Sequence, residues 1–474
     1  MMEQIEVLVI GGGASGMVAA ITAARYKVHV LILEKKSSLG KKLLATGNGK
    51  CNFTNQVQKA ACYHSSQKDY PWKVIGQFGW QESVRWFDEI GILAKEKNGY
   101  VYPASGQASS VLHALQREIK RLMVEVHTEE EVQKAAYDNQ RKGFLVTTDK
   151  AEYFAKKIII STGGMASPVH GSAGDGYRFA KKFGHHIVSP LPALTSLVLE
   201  GSFCKMWSGT RVQGTVSLYD EKKNLLGKDT GEIQMTAYGI SGIPVFQLSR
   251  FAAVELEKGR KVTLCLDSMP EYKKEWLAEE FLKRKQQNEK QSIRDLLEGM
   301  FPDKLASVYV KKIKIADSTC VSELSMELFI RLAELVRHME FSVRKVSGFE
   351  KAQVTAGGVC TKEVCPDTME SCLCKGLYLT GELLDVDGDC GGYNLQWAWA
   401  TGFLAGRAVG RNRNGEKNDT NQSVKSASGR NSQKSAGRTG KMRKDRKRRA
   451  ASYKKSGGEA SAAGNSRNQR ISGH

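Results

Sequence analysis

The 474-residue sequence lacks any long apolar run, and this absence excludes a membrane-spanning helix from the prediction. Such a helix needs about 18–20 consecutive apolar residues, whereas the first apolar run, Val7 to Ile10, leads directly into glycines. The first five residues contain no basic group, and no cleavage site follows them, so no secretion signal is predicted. The expectation is a cytoplasmic protein that does not associate with membranes.

The sequence also lacks a recognisable metal-binding pattern of cysteines. Four of its ten cysteines crowd into the spacing C-x4-C-x6-C-x-C, at Cys360, Cys365, Cys372 and Cys374. This spacing matches no zinc or iron–sulfur ligand set. In the cytoplasm all ten are expected to be reduced thiols, and no metal site is predicted.

The net charge of +21 is unevenly distributed, because residues 411–474 alone carry +14. This segment is rich in Ser, Gly, Asn, Lys and Arg and has one aromatic residue, Tyr453. It has too little apolar surface to offset the entropy lost on ordering, so we predict a disordered tail. Such a tail would bind RNA or another polyanion through phosphate charge without reading sequence. The alternative is a solvated extension with no partner.

The strongest positive signal is a glycine motif between a predicted strand and a predicted helix. Residues Gly11–Gly16 satisfy G-x-G-x-x-G, and Glu34 closes the next strand 18 residues later. Gly11 permits the tight turn, Gly13 lets the backbone approach a pyrophosphate, and Gly16 lets helix and strand pack closely. The helix N-terminus at Ala14 and Ser15 offers free N–H groups to phosphates, and the Glu34 carboxylate suits ribose hydroxyls. The motif therefore predicts a dinucleotide site.

The loop that follows Glu34 favours FAD over NAD as the bound dinucleotide. It is rich in glycine and lysine, which an NAD dehydrogenase does not need there but which suits the longer FAD molecule as it passes. Lysine side chains in this loop could offset phosphate charge. The cofactor contacts predicted from this loop are Lys35, Lys41, Lys42, Leu43, Asn48, Gly49, Cys51 and Asn52.

Two later segments are predicted to complete the FAD site. The apolar run Ile158–Ile160 ends in a small-residue turn with Thr162 and Gly163, which suits a backbone packed against a cofactor. Further on, an acid at a strand end could hold ribityl hydroxyls, and a glycine turn opens an apolar helix toward the flavin pyrimidine. The contacts predicted there are Gly381, Glu382, Gly392, Tyr393, Asn394 and Leu395, and Val132 is added from an earlier strand.

No second G-x-G-x-x-G occurs between a strand and a helix in the later half of the chain. A dedicated nicotinamide domain is therefore not predicted. We expect NADH or NADPH to dock transiently over the flavin as electron donor.

The predicted fold class is α/β, with a Rossmann-like, two-dinucleotide-type FAD-binding domain interrupted by a β-rich, barrel-like insertion and a helical insertion. Strand patterns dominate residues 194–266 and helical patterns residues 271–339. The predicted boundaries are 1–190 for the first part of the FAD-binding domain, 191–268 for the β-rich insertion, 269–340 for the helical insertion, 341–410 for the return of the FAD-binding domain, and 411–474 for the disordered basic tail.

Several long motifs resemble those of the BaiN/YhiN-like bacterial flavoproteins, relatives of the glutathione-reductase-type superfamily. The resemblance extends over nearly all of residues 5–410. It rests on Gly11–Gly16 and on the segments Lys41–Leu44, Gly47–Asn52, Gly171–Tyr177, Tyr238–Gly242, Ala356–Val359, Thr368–Ser371 and Gly391–Ala398.

The resemblance implies an FAD-dependent reduction of a carbon–carbon double bond conjugated to a carbonyl. Members from gut anaerobes are linked to the reduction of 3-oxo-Δ4 and Δ6 bile acid intermediates, and other relatives to the reduction of a ribosomal RNA uracil. An acid must protonate the carbon next to the one that receives hydride. Tyr238, His170 and Tyr393 lie in or near the shared motifs and are the candidates.

Three functions stay open at this point. The first is an ene-reductase for a small apolar enone such as a bile acid, and the second is a flavoenzyme that acts on RNA. The third is a flavin-bound protein without turnover. The basic tail does not choose between the two enzymes, because it could tether either one to a polyanion, and the sequence gives no oligomeric state.

Overall fold

A seven-stranded mixed sheet forms around the first glycine motif. The computed structural model describes residues 3–427. The sheet runs in the order β7-β2-β1-β10-β9-β8, and β19 pairs with Ile158–Ile160 of β10, beyond the residues that pair with β9. Its strands are β1 (Glu3–Ile10), β2 (Val30–Glu34), β7 (Glu125–Thr128), β8 (Val132–Asp138), β9 (Gly143–Thr148), β10 (Glu152–Ile160) and β19 (Leu377–Leu379).

The strands at the centre of this sheet are parallel. β1 pairs in parallel with β2 and β10, and β10 pairs in parallel with β19. Most of their side chains are buried, and those of the last three residues of β1, β10 and β19 are all buried, as expected for strands covered on both faces. The register places Ile10, Leu33, Ile160 and Leu379 side by side, so these four strands end along one edge.

A closed six-stranded barrel is inserted into this domain, in the order β12-β15-β14-β13-β16-β17. Its strands are β12 (Leu197–Leu199), β13 (Arg211–Tyr219), β14 (Leu225–Thr236), β15 (Gly239–Ser241), β16 (Thr263–Asp267) and β17 (Met339–Val346). The other seven described strands form small sheets of two or three strands. They are β3 (Thr54–Asn55), β4 (Tyr63–His64), β5 (Ala94–Lys97), β6 (Tyr100–Pro103), β11 (Ile187–Ala193), β18 (Val354–Val359) and β20 (Asp387–Gly388).

Thirteen α-helices lie within residues 3–427, and four of them separate β16 from β17. The helices are α1 (Ala14–Ala24), α2 (Lys41–Ala45), α3 (Tyr70–Ile75), α4 (Trp80–Glu89), α5 (Ala108–Arg121), α6 (Asp175–Lys182), α7 (Cys204–Trp207), α8 (Ile243–Glu257), α9 (Lys274–Gln287), α10 (Ile293–Glu298), α11 (Asp303–Ile313), α12 (Met326–Arg337) and α13 (Tyr393–Ala427). No described helix is long and apolar enough to cross a membrane.

The predicted fold class is confirmed, including the Rossmann-type sheet and the inserted barrel. Two large hydrophobic cores lie apart, one around the sheet and one shared by the barrel and helices α9–α12. The sixth barrel strand, β17, comes from the end of the helical segment and closes the barrel against β16 and β12. The boundaries at residues 190, 268 and 340 stay predictions, since the chain up to Asp419 forms one compact unit.

Three local predictions were wrong. The strand pattern predicted over 194–266 contains the 15-residue helix α8, which starts with a proline in its first turn and buries Val245, Leu248 and Ala252 at helical spacing. The polar loop after Glu34 contains the short helix α2. The predicted disordered tail begins at residue 411, but helix α13 continues through 411–427. Residues 428–474 of the predicted tail lie outside the described part.

A buried ion pair joins the insertion to the end of the FAD-binding domain. Arg250 of α8 donates from Nε and Nη2 to the two carboxylate oxygens of Asp387, at 2.7 and 3.1 Å. The Asp387 side chain is only 2% exposed. Next to it, Gln247 accepts a hydrogen bond from the Cys390 N–H at 2.6 Å. These contacts fix α8 against the loop that leads into α13.

We predict that Arg250→Ala destabilises the protein by about 3–5 kcal/mol, because it leaves the buried Asp387 carboxylate without its partner. The free energy of unfolding from denaturant titration measures this. The control is Arg211→Ala, which breaks an ion pair whose two side chains are 59% and 53% exposed, and should cost less than about 1 kcal/mol. Equal losses in the two variants would contradict the role given to the Arg250 pair.

Candidate functional site

The site forms where the parallel strands end together. Gly11 follows β1, Glu34 is the last residue of β2, Thr162 lies two residues after β10, and Gly381 lies two residues after β19. Because the four strands are in register at this edge, segments hundreds of residues apart in sequence become neighbours. Ligands of open α/β sheets bind outside the carboxyl ends of the strands.

Each of the three motif glycines meets a different steric demand. A Cβ at Gly11, which has φ of 101°, would lie 2.7 Å from the Ser161 carbonyl oxygen. At Gly16 it would collide with the Gly11 carbonyl, so helix α1 can approach the turn only without a side chain. At Gly13 the nearest atom would be 4.0 Å away. Space is therefore left open only at the position predicted to face the pyrophosphate.

Glu34 is held in place by two backbone donors. Its Oε2 accepts from the Gly12 N–H at 2.9 Å, and its Oε1 accepts from the Lys36 N–H at 2.8 Å. The carboxylate is thereby fixed between the glycine turn and the lysine loop. Its remaining lone pairs are available for ribose hydroxyls, as the sequence predicts.

A second carboxylate supports the same end of the site. Glu130 is 5% exposed and accepts from Thr148 Oγ1 at 2.7 Å and from the Tyr153 hydroxyl at 2.8 Å. Its N–H donates to the Glu34 carbonyl at 3.1 Å, so the turn before Val132 is anchored to the end of β2. Sequence reasoning missed Glu130, because no local motif marks a carboxylate whose partners lie 18 and 23 residues away.

Lysines of the loop meet acids from distant elements. Lys42 donates to Glu382 Oε2 at 2.7 Å, and Glu382 Oε1 accepts from the Thr355 N–H at 2.8 Å. Lys35 pairs with Asp175. Lys41 donates to Ser37 Oγ at 3.0 Å and forms no ion pair within the described residues. Of the three lysines, Lys41 is thus the one whose charge is not already matched by a carboxylate.

The segment after α2 turns sharply through left-handed backbone. Asn48 and Cys51 have φ of 53° and 56°, and Gly49 has φ of 82°. Such conformations in non-glycine residues cost free energy and cluster at functional sites. Cys51 is fully buried, and burial raises the pKa of its thiol to about 12, so the thiol stays neutral. Asn48 and Gly49 are exposed at the surface of this turn.

Helix α13 begins at the glycine turn predicted from the sequence. Gly391 and Gly392 have φ of 131° and 95°, and a Cβ at Gly392 would lie 2.7 Å from the Thr54 carbonyl oxygen. The Asn394 side chain bonds both the N–H and the carbonyl of Gly388, at 2.8 and 2.7 Å. Tyr393 donates its hydroxyl proton to the Val57 carbonyl at 2.7 Å, and burial raises its pKa.

These elements line a cavity that is partly open to solvent. Most of the predicted cofactor residues line it: Gly11, Gly13, Ala14, Ser15, Glu34, Lys35, Lys41, Lys42, Leu43, Val132, Thr162, Gly163, Glu382, Asn394 and Leu395. Others lie outside the lining: Gly16, Asn48, Gly49, Cys51, Asn52, Gly381, Gly392 and Tyr393. The second group includes Gly16 and Gly392, where backbone atoms leave no room for a side chain.

The residues at the cavity fit an FAD molecule. Thr162 Oγ1 is a buried polar atom without a hydrogen-bond partner in the protein, and buried polar groups are normally satisfied. Thr162 lines the cavity directly. The N-termini of α1 and α13 both reach it, and neither helix has an acidic residue in its first turn. Anionic or electron-rich groups are stabilised at such ends.

The three catalytic candidates do not converge. His170 lines the cavity, but the adjacent Gly171 lies against the Lys35 and Lys36 side chains, next to Glu34. That is the end predicted for adenosine. Tyr238 lies outside the lining, on the turn between β14 and β15. Tyr393 is next to the lining residue Asn394, with its proton engaged by a backbone carbonyl. The assignments of all three as acids stay predictions.

The fold is that of a Rossmann-type FAD-binding oxidoreductase. The family model described as "HI0933-like protein Rossmann domain" matches residues 5–408. The chain therefore belongs to the HI0933-like family, which confirms the resemblance noted in the sequence.

Two relatives of stated activity match this chain over 404 and 421 residues, close to the length matched by the family model. The chain is 43% identical over 404 residues to the 3-dehydro-bile acid Δ(4,6)-reductase of Clostridium scindens, covering 85% of this chain and 98% of the relative. It is 28% identical over 421 residues to the ribosomal RNA dihydrouridine synthase of Haemophilus influenzae, covering 87% and 100%. A solved 3-ketosteroid Δ1-dehydrogenase from Sterolibacterium denitrificans aligns with a TM-score of 0.46 and 12% identity, covering 87% and 100%.

We predict that Gly13→Ala keeps the fold but weakens FAD binding about fivefold or more, since the methyl group enters free space that a bound pyrophosphate would need. Overpacking costs about 1–3 kcal/mol. Flavin absorbance per protein after purification, and titration of the apoprotein with FAD, measure the effect. The matched variant Gly16→Ala should instead destabilise the apoprotein itself, because its methyl group would meet the Gly11 carbonyl. Unchanged FAD affinity in Gly13→Ala would contradict this placement of the pyrophosphate.

Proposed function

We propose that this protein is an FAD-dependent reductase that uses NADH or NADPH to reduce a carbon–carbon double bond conjugated to a carbonyl. The proposed substrates are 3-oxo-Δ4 and Δ6 bile acid intermediates. The observation that carries the proposal is the 43% identity to a 3-dehydro-bile acid Δ(4,6)-reductase across 98% of that enzyme. A cytoplasmic location is part of the proposal and rests on the sequence.

The proposed cofactor contacts follow the geometry of the cavity. Glu34 would accept the ribose hydroxyls, and the N-terminus of α1 with Lys41 would meet the diphosphate. The N-terminus of α13, at Asn394 and Leu395, would face the pyrimidine end of the flavin, where its dipole stabilises added negative charge. When bound, reduced flavin would supply a hydride to the substrate carbon, with its electrons drawn from the nicotinamide. The chain has to orient the substrate and provide a route for one proton.

The cavity suits a flat apolar substrate at the flavin end. Val354, Val386, Leu395, Trp397 and Ala398 belong to the cavity lining, and the proposal places them toward the flavin end. Ligand sites are typically apolar with a few polar groups that fix orientation. Trp397 is rigidly placed, because its indole N–H donates to the Gly381 carbonyl at 3.0 Å. A steroid ring system matches such a surface better than a charged polynucleotide does.

A second candidate function is the reduction of a uracil in ribosomal RNA to dihydrouridine. It is favoured by the 28% identity to a ribosomal RNA dihydrouridine synthase and by the net charge of +14 over residues 411–474. A basic segment neutralises phosphates without sequence specificity, so its contribution should fall steeply with salt. Loss of ribosomal dihydrouridine in a gene knockout would establish this function over the first.

The proposed activity predicts anaerobic oxidation of NADH or NADPH by the yellow protein when a 3-oxo-4,6-diene bile acid is added. Absorbance at the nicotinamide band, and mass spectrometry of a product gaining two hydrogens, measure it. Gly13→Ala serves as the FAD-depleted control, and deletion of residues 411–474 should leave steroid turnover intact. Rapid reduction of the flavin by nicotinamide without any reoxidation by the enone would overturn the proposed substrate class.

A further inference from the structure

An unpaired ammonium group lies over an aromatic ring near the cavity. Lys351 Nζ is 4.4 Å from the centroid of the Tyr238 ring, and Tyr238 is 36% exposed. Lys351 is exposed and forms no ion pair with any carboxylate of the described residues. The neighbouring acid, Glu350, turns its side chain onto Gly348 instead. A cation on a tyrosine face is held in place while its charge remains available to an anion.

A line of hydroxyl groups extends from the same tyrosine into the protein. The Tyr238 hydroxyl lies 3.3 Å from Ser196 Oγ, which lies 2.8 Å from Ser347 Oγ. Both serines are 5% exposed, so the tyrosine ring is fixed from its polar end. Lys351 and these hydroxyls are therefore a positioned set of donors rather than unrelated surface groups.

This set is connected to the cavity through backbone contacts. Gln353 and Val354 line the cavity, and the Gln353 N–H donates to the Leu194 carbonyl at 3.3 Å. Lys351 is two residues from Gln353, which is at most about 7 Å of chain. Leu194 is a buried residue with φ of 50°, a conformation that costs free energy in a branched side chain and is found at ligand-binding positions.

A small apolar wall borders the cavity through Val354, which lines it, and lies along the chain next to the hydroxyl groups, because Leu194 is two residues from Ser196. It is a small hydrophobic cluster, separate from the two large cores, whose members come from β11, α8, β18 and the loop before α13. The cluster consists of Ala193, Leu194, Val354 and Ala356, with Leu191, Phe246 and Cys390 packed against it. Val354 belongs to both the wall and the cavity lining.

We propose that Lys351, with Tyr238 beneath it, binds the carboxylate of the substrate and so selects apolar enones that carry an acid at the far end. The proposal rests on the proposed function and deepens it. In this proposal the bound substrate would meet the redox cavity, the apolar wall, the hydroxyl groups and the Lys351 ammonium in that order. A steroid acid has the matching order of ring enone, apolar body and terminal carboxylate. Tyr238 then acts by positioning Lys351 and not as an acid.

The test compares a 3-oxo-4-ene bile acid with its methyl ester, which keeps the apolar body but loses the negative charge. In the wild type, kcat/KM for the acid should exceed that for the ester, and the excess should shrink as salt is raised. In Lys351→Ala the acid-to-ester ratio should fall about three- to tenfold, through KM more than kcat, as expected for loss of one charged contact. Lys351→Arg should restore the ratio, and Lys351→Glu should lower it further.

The matched control is Lys290→Ala, which removes the same charge from an exposed position between α9 and α10 and should leave the ratio unchanged. Tyr238→Leu should lower the ratio, while Tyr238→Phe, which keeps the aromatic face, should preserve most of it. A ratio in Lys351→Ala equal to the wild-type ratio overturns the proposal.

Binding of the two ligands, followed by the flavin absorbance change, separates this proposal from the proposed function. If the wild type binds the acid more tightly than the ester but reduces neither, the activity is wrong and the carboxylate site stands, provided that Lys351→Ala loses the preference. If both ligands are reduced with no preference for the acid, the activity stands and the carboxylate site is wrong.

Discussion

The site depends on the parallel register of β1, β2, β10 and β19. Because hydrogen bonding aligns these strands so that Ile10, Leu33, Ile160 and Leu379 lie side by side, their carboxyl ends form one edge. The glycine turn, Glu34, the Thr162 segment and the Gly381 segment all leave the sheet at that edge. A shift of one strand by one residue would turn its side chains to the opposite face of the sheet and move the segments that make the cavity out of alignment.

Helix α13, near the end of the described chain, packs against helix α1, near its beginning. Gly402 and Gly406 lie directly against the backbone of α1, where a Cβ would be 2.4 Å from the carbonyl oxygens of Ser15 and Ala19. Thr401 accepts from the Gly381 N–H at 2.9 Å. The two helix N-termini that face the cavity are thus fixed relative to one another by close backbone packing. Such rigid placement of dipoles is what makes them effective toward a cofactor.

The inserted barrel contributes a different kind of constraint. Its helix α8 is fixed to the loop before α13 by the buried Arg250–Asp387 pair, so the apolar wall with Phe246 keeps its place beside the cavity. The insertion can thereby determine which substrate reaches the flavin without a change in the structure of the FAD-binding domain. The Lys351 and Tyr238 pair belongs to this part, at the barrel turn and at the strand connection that follows β17.

The sequence by itself determined the dinucleotide motif, the acid at Glu34, the fold class and part of the cavity lining, because the motifs and patterns that mark them are read from residues close together in the chain. Gly11–Gly16 has its meaning from a strand and a helix that directly flank it. The contacts of Glu130 and the Lys351–Tyr238 pair were decided only by the tertiary structure. Their partners lie from 18 to more than 100 residues away, and contacts at that separation leave no periodic or spacing signal to read.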